Sequence, residues 1–160
     1  MIFSCSSESE LELVKPARLE LGDTIAFCAP SGFLDSSRMF LAKKRLIEKG
    51  FHIVYDDSLF RNWGYLAGKD KIRANELMTY FEDKSIKAIF PGTGGYGATR
   101  ILSLLDYNII KGNPKIFIGF SDITALHIAF NRLSKLVTFH TPNPMSVSYT
   151  HLRAHETACY

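Results

Sequence analysis

Cysteine is scarce in this 160-residue chain: Cys5, Cys28 and Cys159 stand far apart, with no CxxC pair. Three isolated thiols speak against a disulfide framework and a zinc knuckle, and fit a reducing compartment. Long apolar runs are also missing, and none approaches the roughly 18 residues of a membrane span. No charge of one sign dominates: 19 Lys plus Arg stand against 16 Asp plus Glu, a net +3 spread along the chain. That excess forms no basic stripe for nucleic acid, so neither nucleic acid nor membrane is expected as a partner. The opening residues, MIFSCSSESELELV, carry acids where an export signal has a basic and then an apolar region. A cytoplasmic location follows as the expectation.

What the chain does have is an ordinary globular composition, 46% hydrophobic and 22% charged. Residues 1–14 are polar and are expected to form a flexible lead-in. From there short apolar runs alternate with helical patterns. The runs at 24–29 (TIAFCA), 52–55 (HIVY), 87–90 (KAIF), 115–119 (KIFIG) and 137–139 read as buried strands. Helices are expected from Ser36 or Ser37 to about Lys49, with Met39, Leu41, Ala42, Leu46 and Ile47 inward, and from a cap at Asp70 to Phe81, with Ile72, Leu77, Met78 and Phe81 inward. Others span 98–105, about 106–111, and 123 to about 133. The alternation implies right-handed crossovers and an α/β fold with a doubly wound, flavodoxin-like parallel sheet. Ligands of such sheets bind beyond the carboxyl ends of the strands. Three turns project there: Pro30-Ser31-Gly32, residues 91–97, and Phe120-Ser121-Asp122. The residues expected to line substrate are Ser31, Gly94 and Tyr96 on the first two turns and His140 at the end of the fifth strand.

Gly119-Phe120-Ser121-Asp122 joins an apolar strand to a helix. A sharp turn there exposes the serine hydroxyl at the positive end of the helix, and the N–H of Asp122 points into the same space. By itself the segment reads first as a helix cap, because Ile123 stands where a GxSxG elbow has its second glycine. Gly92-Thr93-Gly94-Gly95-Tyr96-Gly97 has the backbone freedom of an anion nest or oxyanion donor, or of a tight structural turn. No GK[ST] follows it, so it is not a P-loop. His127 lies six residues past Ser121 and is expected to pack away from its hydroxyl. Cys28 reads as a small core residue.

Residues 147–157, VSYTHLRAHET, have neither helical nor strand periodicity. They equal the translation of one reading frame of a transposase adapter used in DNA library preparation. Residues 147–160 are therefore read as a non-native tail, His151, His155 and Glu156 are given no metal or catalytic role, and the gene is expected to continue past about residue 146.

The stretch from Lys15 to Met145 resembles the LD-carboxypeptidase family of serine peptidases. The resemblance is carried by KPARLELGDTI with Ala29-Pro30-Ser31-Gly32, by Gly64-Tyr65-Leu66-Ala67-Gly68 with Arg73-Ala74-Asn75-Glu76-Leu77, by Gly94-Gly95-Tyr96-Gly97-Ala98, and by Gly119-Phe120-Ser121-Asp122-Ile123-Thr124-Ala125-Leu126. Leu105-Asp106-Tyr107, Asn113-Pro114-Lys115 and Val137-Thr138-Phe139-His140 add to it in order. The family implies that residues 15–146 form the nucleophile-bearing N-terminal domain of a two-domain hydrolase that releases the terminal D-alanine of murein tetrapeptide in cell-wall recycling. It implies Ser121 as nucleophile and the N–H groups of Asp122 and Gly95 as oxyanion hole, with no metal or cofactor. The triad's Glu and His would lie beyond this chain, leaving the fragment inactive. A murein peptide is the implied partner, and the family admits a homodimer of the full-length protein. One departure is Thr93, where many members have Arg. A microcin-immunity-type amidase acting on aminoacyl nucleotides is the first alternative, and a non-catalytic flavodoxin-like binding module the second.

Overall fold

The computed structural model describes residues 12–143, so the tail at 147–160 and most of the lead-in lie outside the described residues. Five strands are present: Thr24–Cys28 (β1), His52–Val54 (β2), Ile86–Pro91 (β3), Ile116–Gly119 (β4) and Phe139–His140 (β5). They lie in the order β2-β1-β3-β4-β5, and every neighbouring pair is parallel. This is a doubly wound order, with the switch point between β1 and β3.

The period-two alternation of a strand explains why so short a run as β1 builds two cores. Ala26 and Cys28 face one side of the sheet, joining Ile89 and Phe117 beneath helices Asp70–Glu82 (α2), Ala98–Ile101 (α3), Tyr107–Gly112 (α4) and Thr124–Ser134 (α5). Ile25, Phe27 and Ala29 face the other side, joining Ala88 and Phe90 beneath Ser36–Glu48 (α1) and Leu59. Cys28 is fully buried, and burial pushes its thiol well above the usual range. Among the described residues, no helix is long and apolar enough to cross a membrane.

Several boundaries differ from the sequence reading, each for a local reason. Asp35, not Ser36 or Ser37, caps α1, accepting the Arg38 N–H at 3.1 Å. Asp70 does not cap α2 but is its first residue, with its carboxylate on Arg73 and Arg100. Only Met39 and Ala42 of α1 are buried, whereas Leu41 and Ile47 are about half exposed because a single helix covers this side. Ile72 is also exposed, since the inward stripe of α2 runs through Arg73, Leu77, Tyr80 and Phe81. The helix expected over 98–105 stops at Ile101 and passes into a 3-10 turn, Leu102–Leu104. Val14, placed in the lead-in, is pinned to the α5–β5 connection: its N–H donates to Lys135 O at 2.8 Å, and its carbonyl accepts Val137 N–H at 2.9 Å.

Candidate active site

The chain leaves β4 at Gly119, passes through an extended Phe120 and turns at Ser121, which begins a 3-10 turn, Ser121–Ile123, leading into α5. Ser121 has a φ of 60°, one of two left-handed non-glycine residues among those described. Such a backbone costs of order 1 kcal/mol or more and persists only where its surroundings hold it. Here the fully buried Ile123 anchors the turn, and its N–H bonds back to Phe120 O at 3.3 Å. The hydroxyl-bearing residue is left exposed at the crest of a strand-to-helix turn.

The glycine turn after β3 packs directly against it. A Cβ at Gly94 would lie 3.0 Å from Ser121 Cβ, 3.2 Å from its Oγ and 3.5 Å from Asp122 N. Only a residue without a side chain lets the two turns approach this closely. The Gly94 carbonyl accepts Gly32 N–H at 3.0 Å, joining the first turn to the second. Gly95 follows at φ +107°, exposed to solvent.

The carboxylate of Asp122 joins all three turns. It accepts the hydroxyl of Ser31 and, at 2.8 Å, the Ala98 N–H at the head of α3. Ser31 was expected to line substrate, but it is fully buried and its hydroxyl is committed to Asp122. Its influence on Ser121 is therefore through Asp122. Beneath them lies Arg73, fully buried, whose guanidinium donates to Gly68 O at 3.1 Å, Gly97 O at 2.9 Å, Pro30 O, and Asp70 Oδ1 at 2.6 Å. One side chain thus holds the carbonyls of three loops.

Glu76, one turn further along α2, supports the same region. Its Oε2 accepts the N–H of Ala29, just before the first turn, at 3.3 Å, and lies 3.9 Å from Arg61. Burial outweighs the attraction of Arg61 and raises the Glu76 carboxyl to about 7. A carboxyl raised above its unfolded value of 4.5 favours folding at low pH, and that advantage fades as pH rises from 4.5 through about 7. The shift corresponds to about 3 kcal/mol of stability, declining over that window and level above it. Glu76→Gln keeps an acceptor for Ala29 but cannot ionise. Urea midpoints followed across this pH range should fall for the wild type relative to the variant, and parallel curves would sink the assignment.

His127 is buried, and its Nε2–H donates to Gly119 O at 3.0 Å. Burial keeps its pKa low, so it is a neutral packing residue, as its spacing from Ser121 predicts. His140 stands level with Gly119 in the β4–β5 register, exposed, with Nε2 3.1 Å from Thr124 Oγ1. Tyr96 is half exposed and packs edge-on against Tyr65, with ring centroids 5.6 Å apart.

Sequence reasoning did not single out Arg73, Glu76 or the Asp122 carboxylate. For the first two a signal existed: Arg73 shares the inward stripe of α2 with Leu77 and Tyr80, and Glu76 lies next to Leu77 and one turn before Tyr80. Charges at such positions are expected to have partners.

Residues 25–141 match the LD-carboxypeptidase N-terminal domain. The chain is 40% identical over 128 residues to a probable murein peptide carboxypeptidase of Bacillus subtilis, covering 80% of this chain and 40% of that protein. It is 36% identical over 129 residues to the microcin C7 self-immunity protein MccF of Escherichia coli, covering 79% and 38%. The crystal structure of an MccF-like protein from Bacillus anthracis superimposes with a TM-score of 0.79 at 35% identity, covering 83% of this chain and 41% of that one. The chain spans about 40% of the length of these relatives. By the extent of the match over its strands, glycine turn and serine turn, the chain belongs to the LD-carboxypeptidase family and corresponds to its N-terminal domain.

Proposed function

We propose that the complete protein is a serine-type LD-carboxypeptidase of the cytoplasm, releasing the terminal D-alanine from L,D-linked murein tetrapeptide in peptidoglycan recycling. The observation that supports this reading is the exposed, left-handed Ser121 with the glycine turn packed against its Oγ. In this reading Ser121 Oγ attacks the amide carbonyl. The N–H groups of Asp122 and Gly95 receive the oxyanion, a contribution of about 3 kcal/mol per donor. A His takes the serine proton and passes it to the departing D-alanine amine, and a Glu orients that His. Water then cleaves the acyl-serine. Both triad partners belong to the family's second domain, so the N-terminal domain carries a nucleophile without its base. Gly94, Tyr96 and His140 border the substrate.

The test offers the complete protein an L,D-tetrapeptide and an aminoacyl nucleotide and follows release of D-alanine and of nucleotide. D-Alanine release alone supports the proposal. Nucleotide release alone selects the second reading, an immunity-type amidase, which the similarity to MccF-like structures favours. Release of neither leaves a binding module.

Gly94→Ala gives a sharper check on the serine. The position has no left-handed backbone, so alanine fits locally, and the crowding falls on Ser121, 3.0 Å from the added Cβ. A misplacement of about 1 Å costs on the order of a hundredfold in rate, and the smaller shift needed here about tenfold. The variant should lose about that much kcat with little change in KM or melting temperature. Unchanged kcat would remove Ser121 from the reacting centre.

A further inference from the structure

A pocket of about 290 Å³ lies on the α1 side of the serine turn, lined among others by Phe33, Asp35, Arg38, Thr93 and Phe120. Phe120 immediately precedes Ser121, and Thr93 immediately precedes Gly94, so the pocket is bordered by the residues next to the serine and next to the glycine packed against it. Two opposite charges line it. Asp35 is committed to capping α1 through the Arg38 N–H. The Arg38 guanidinium has neither an ion-pair nor a hydrogen-bond partner among the described residues. Other arginines at this end of the sheet are occupied: Arg100 on Asp70 at 2.9 Å, Arg73 on its carbonyls and Asp70, and Arg61 3.9 Å from Glu76.

We propose that Arg38 is the specificity residue that receives the terminal carboxylate of a peptide substrate, with the Thr93 hydroxyl as a second donor and the rings of Phe33 and Phe120 against the apolar part of the last residue. The proposal rests on the carboxypeptidase reading above. An enzyme that removes only the last residue must distinguish a chain end from an internal amide, and the free carboxylate is the feature that marks the end. A guanidinium suits that task, since its planar fork matches a carboxylate with two parallel hydrogen bonds. Asp35, on the same wall, repels a carboxylate, so binding depends on Arg38 being there to offset it.

The test compares, in the complete protein, an L,D-tetrapeptide with a free carboxyl end and the same peptide with a terminal carboxamide. Wild type should prefer the free acid. Arg38→Ala should raise KM for the acid by about tenfold or more, the loss expected for a hydrogen bond to a charged group. Its kcat should change little, and its KM for the carboxamide should stay level. Arg38→Lys should fall between the two. Asp35→Asn keeps a good cap and removes the repulsion, so it should lower KM for the acid. It also decides the matter if Arg38→Ala fails to fold. Unchanged KM for the acid in Arg38→Ala, or in Asp35→Asn where the alanine variant does not fold, overturns the proposal and leaves the carboxypeptidase reading standing. A wild type that releases nothing from the free-acid peptide overturns both.

Discussion

Ser121→Ala in the complete protein should lower turnover at least about a thousandfold and leave the fold intact, as removal of a triad nucleophile does elsewhere. The two halves of this expectation come from different features. Loss of turnover follows from the position of the hydroxyl, exposed at the crest of the β4–α5 turn beside Gly94. Retention of the fold follows because no other described residue hydrogen-bonds the hydroxyl, whereas the neighbouring Asp122 carboxylate bonds both Ser31 and Ala98. Alanine bears the same left-handed strain as serine at φ 60°, so the melting temperature should move little. Steady-state rates and a thermal melt measured together make the check. Retention of more than a tenth of the activity would exclude Ser121 as nucleophile, and a collapsed fold would make the serine a structural residue.

Arg73→Met should act in the opposite way, through stability. The methionine replaces much of the volume but none of the donors to Pro30, Gly68 and Gly97. Each buried carbonyl left without a partner costs about 1 to 3 kcal/mol. Asp70 is less affected, because Arg100 still holds it at 2.9 Å. A net loss of about 3 to 5 kcal/mol is expected, a large part of the 5 to 15 kcal/mol of a typical domain. Arg73→Lys should recover only part of it, since one ammonium cannot span three loops. An unfolding free energy, from urea titration, lowered by less than about 1 kcal/mol would mean that water replaces the guanidinium without penalty.

How much of this was legible beforehand depended on the kind of interaction involved. The runs TIAFCA, KAIF and KIFIG announced β1, β3 and β4 because a strand buried on both faces leaves a continuous apolar record. The parallel order followed from the alternation with helices, and with it the meeting of the three turns. The fifth strand was misplaced, at 137–139 rather than Phe139–His140, because two residues leave almost no pattern. The exposed side of α1 was misread because periodicity shows a stripe but not whether another element covers it. The partners of Arg73, Glu76 and Asp122 were invisible for another reason, although the inward positions of the first two were readable. A side chain that bonds atoms 24 to 91 residues away leaves no local trace of its partner.

The interior place of β1, between β2 and β3, has a consequence for how the protein is made. Its first residue, Thr24, pairs with His52 on one side and Ile86 on the other, so its second neighbour is encoded 62 residues later. At a synthesis rate of about 5 to 20 residues per second, β1 waits roughly 3 to 12 seconds on the ribosome for that partner. During that interval an apolar five-residue strand has at least one edge unpaired, and both until β2 is made. The nascent chain is therefore exposed to wrong pairings before the glycine turn and the serine turn exist, and a translation pause between β2 and β3 would lengthen that exposure.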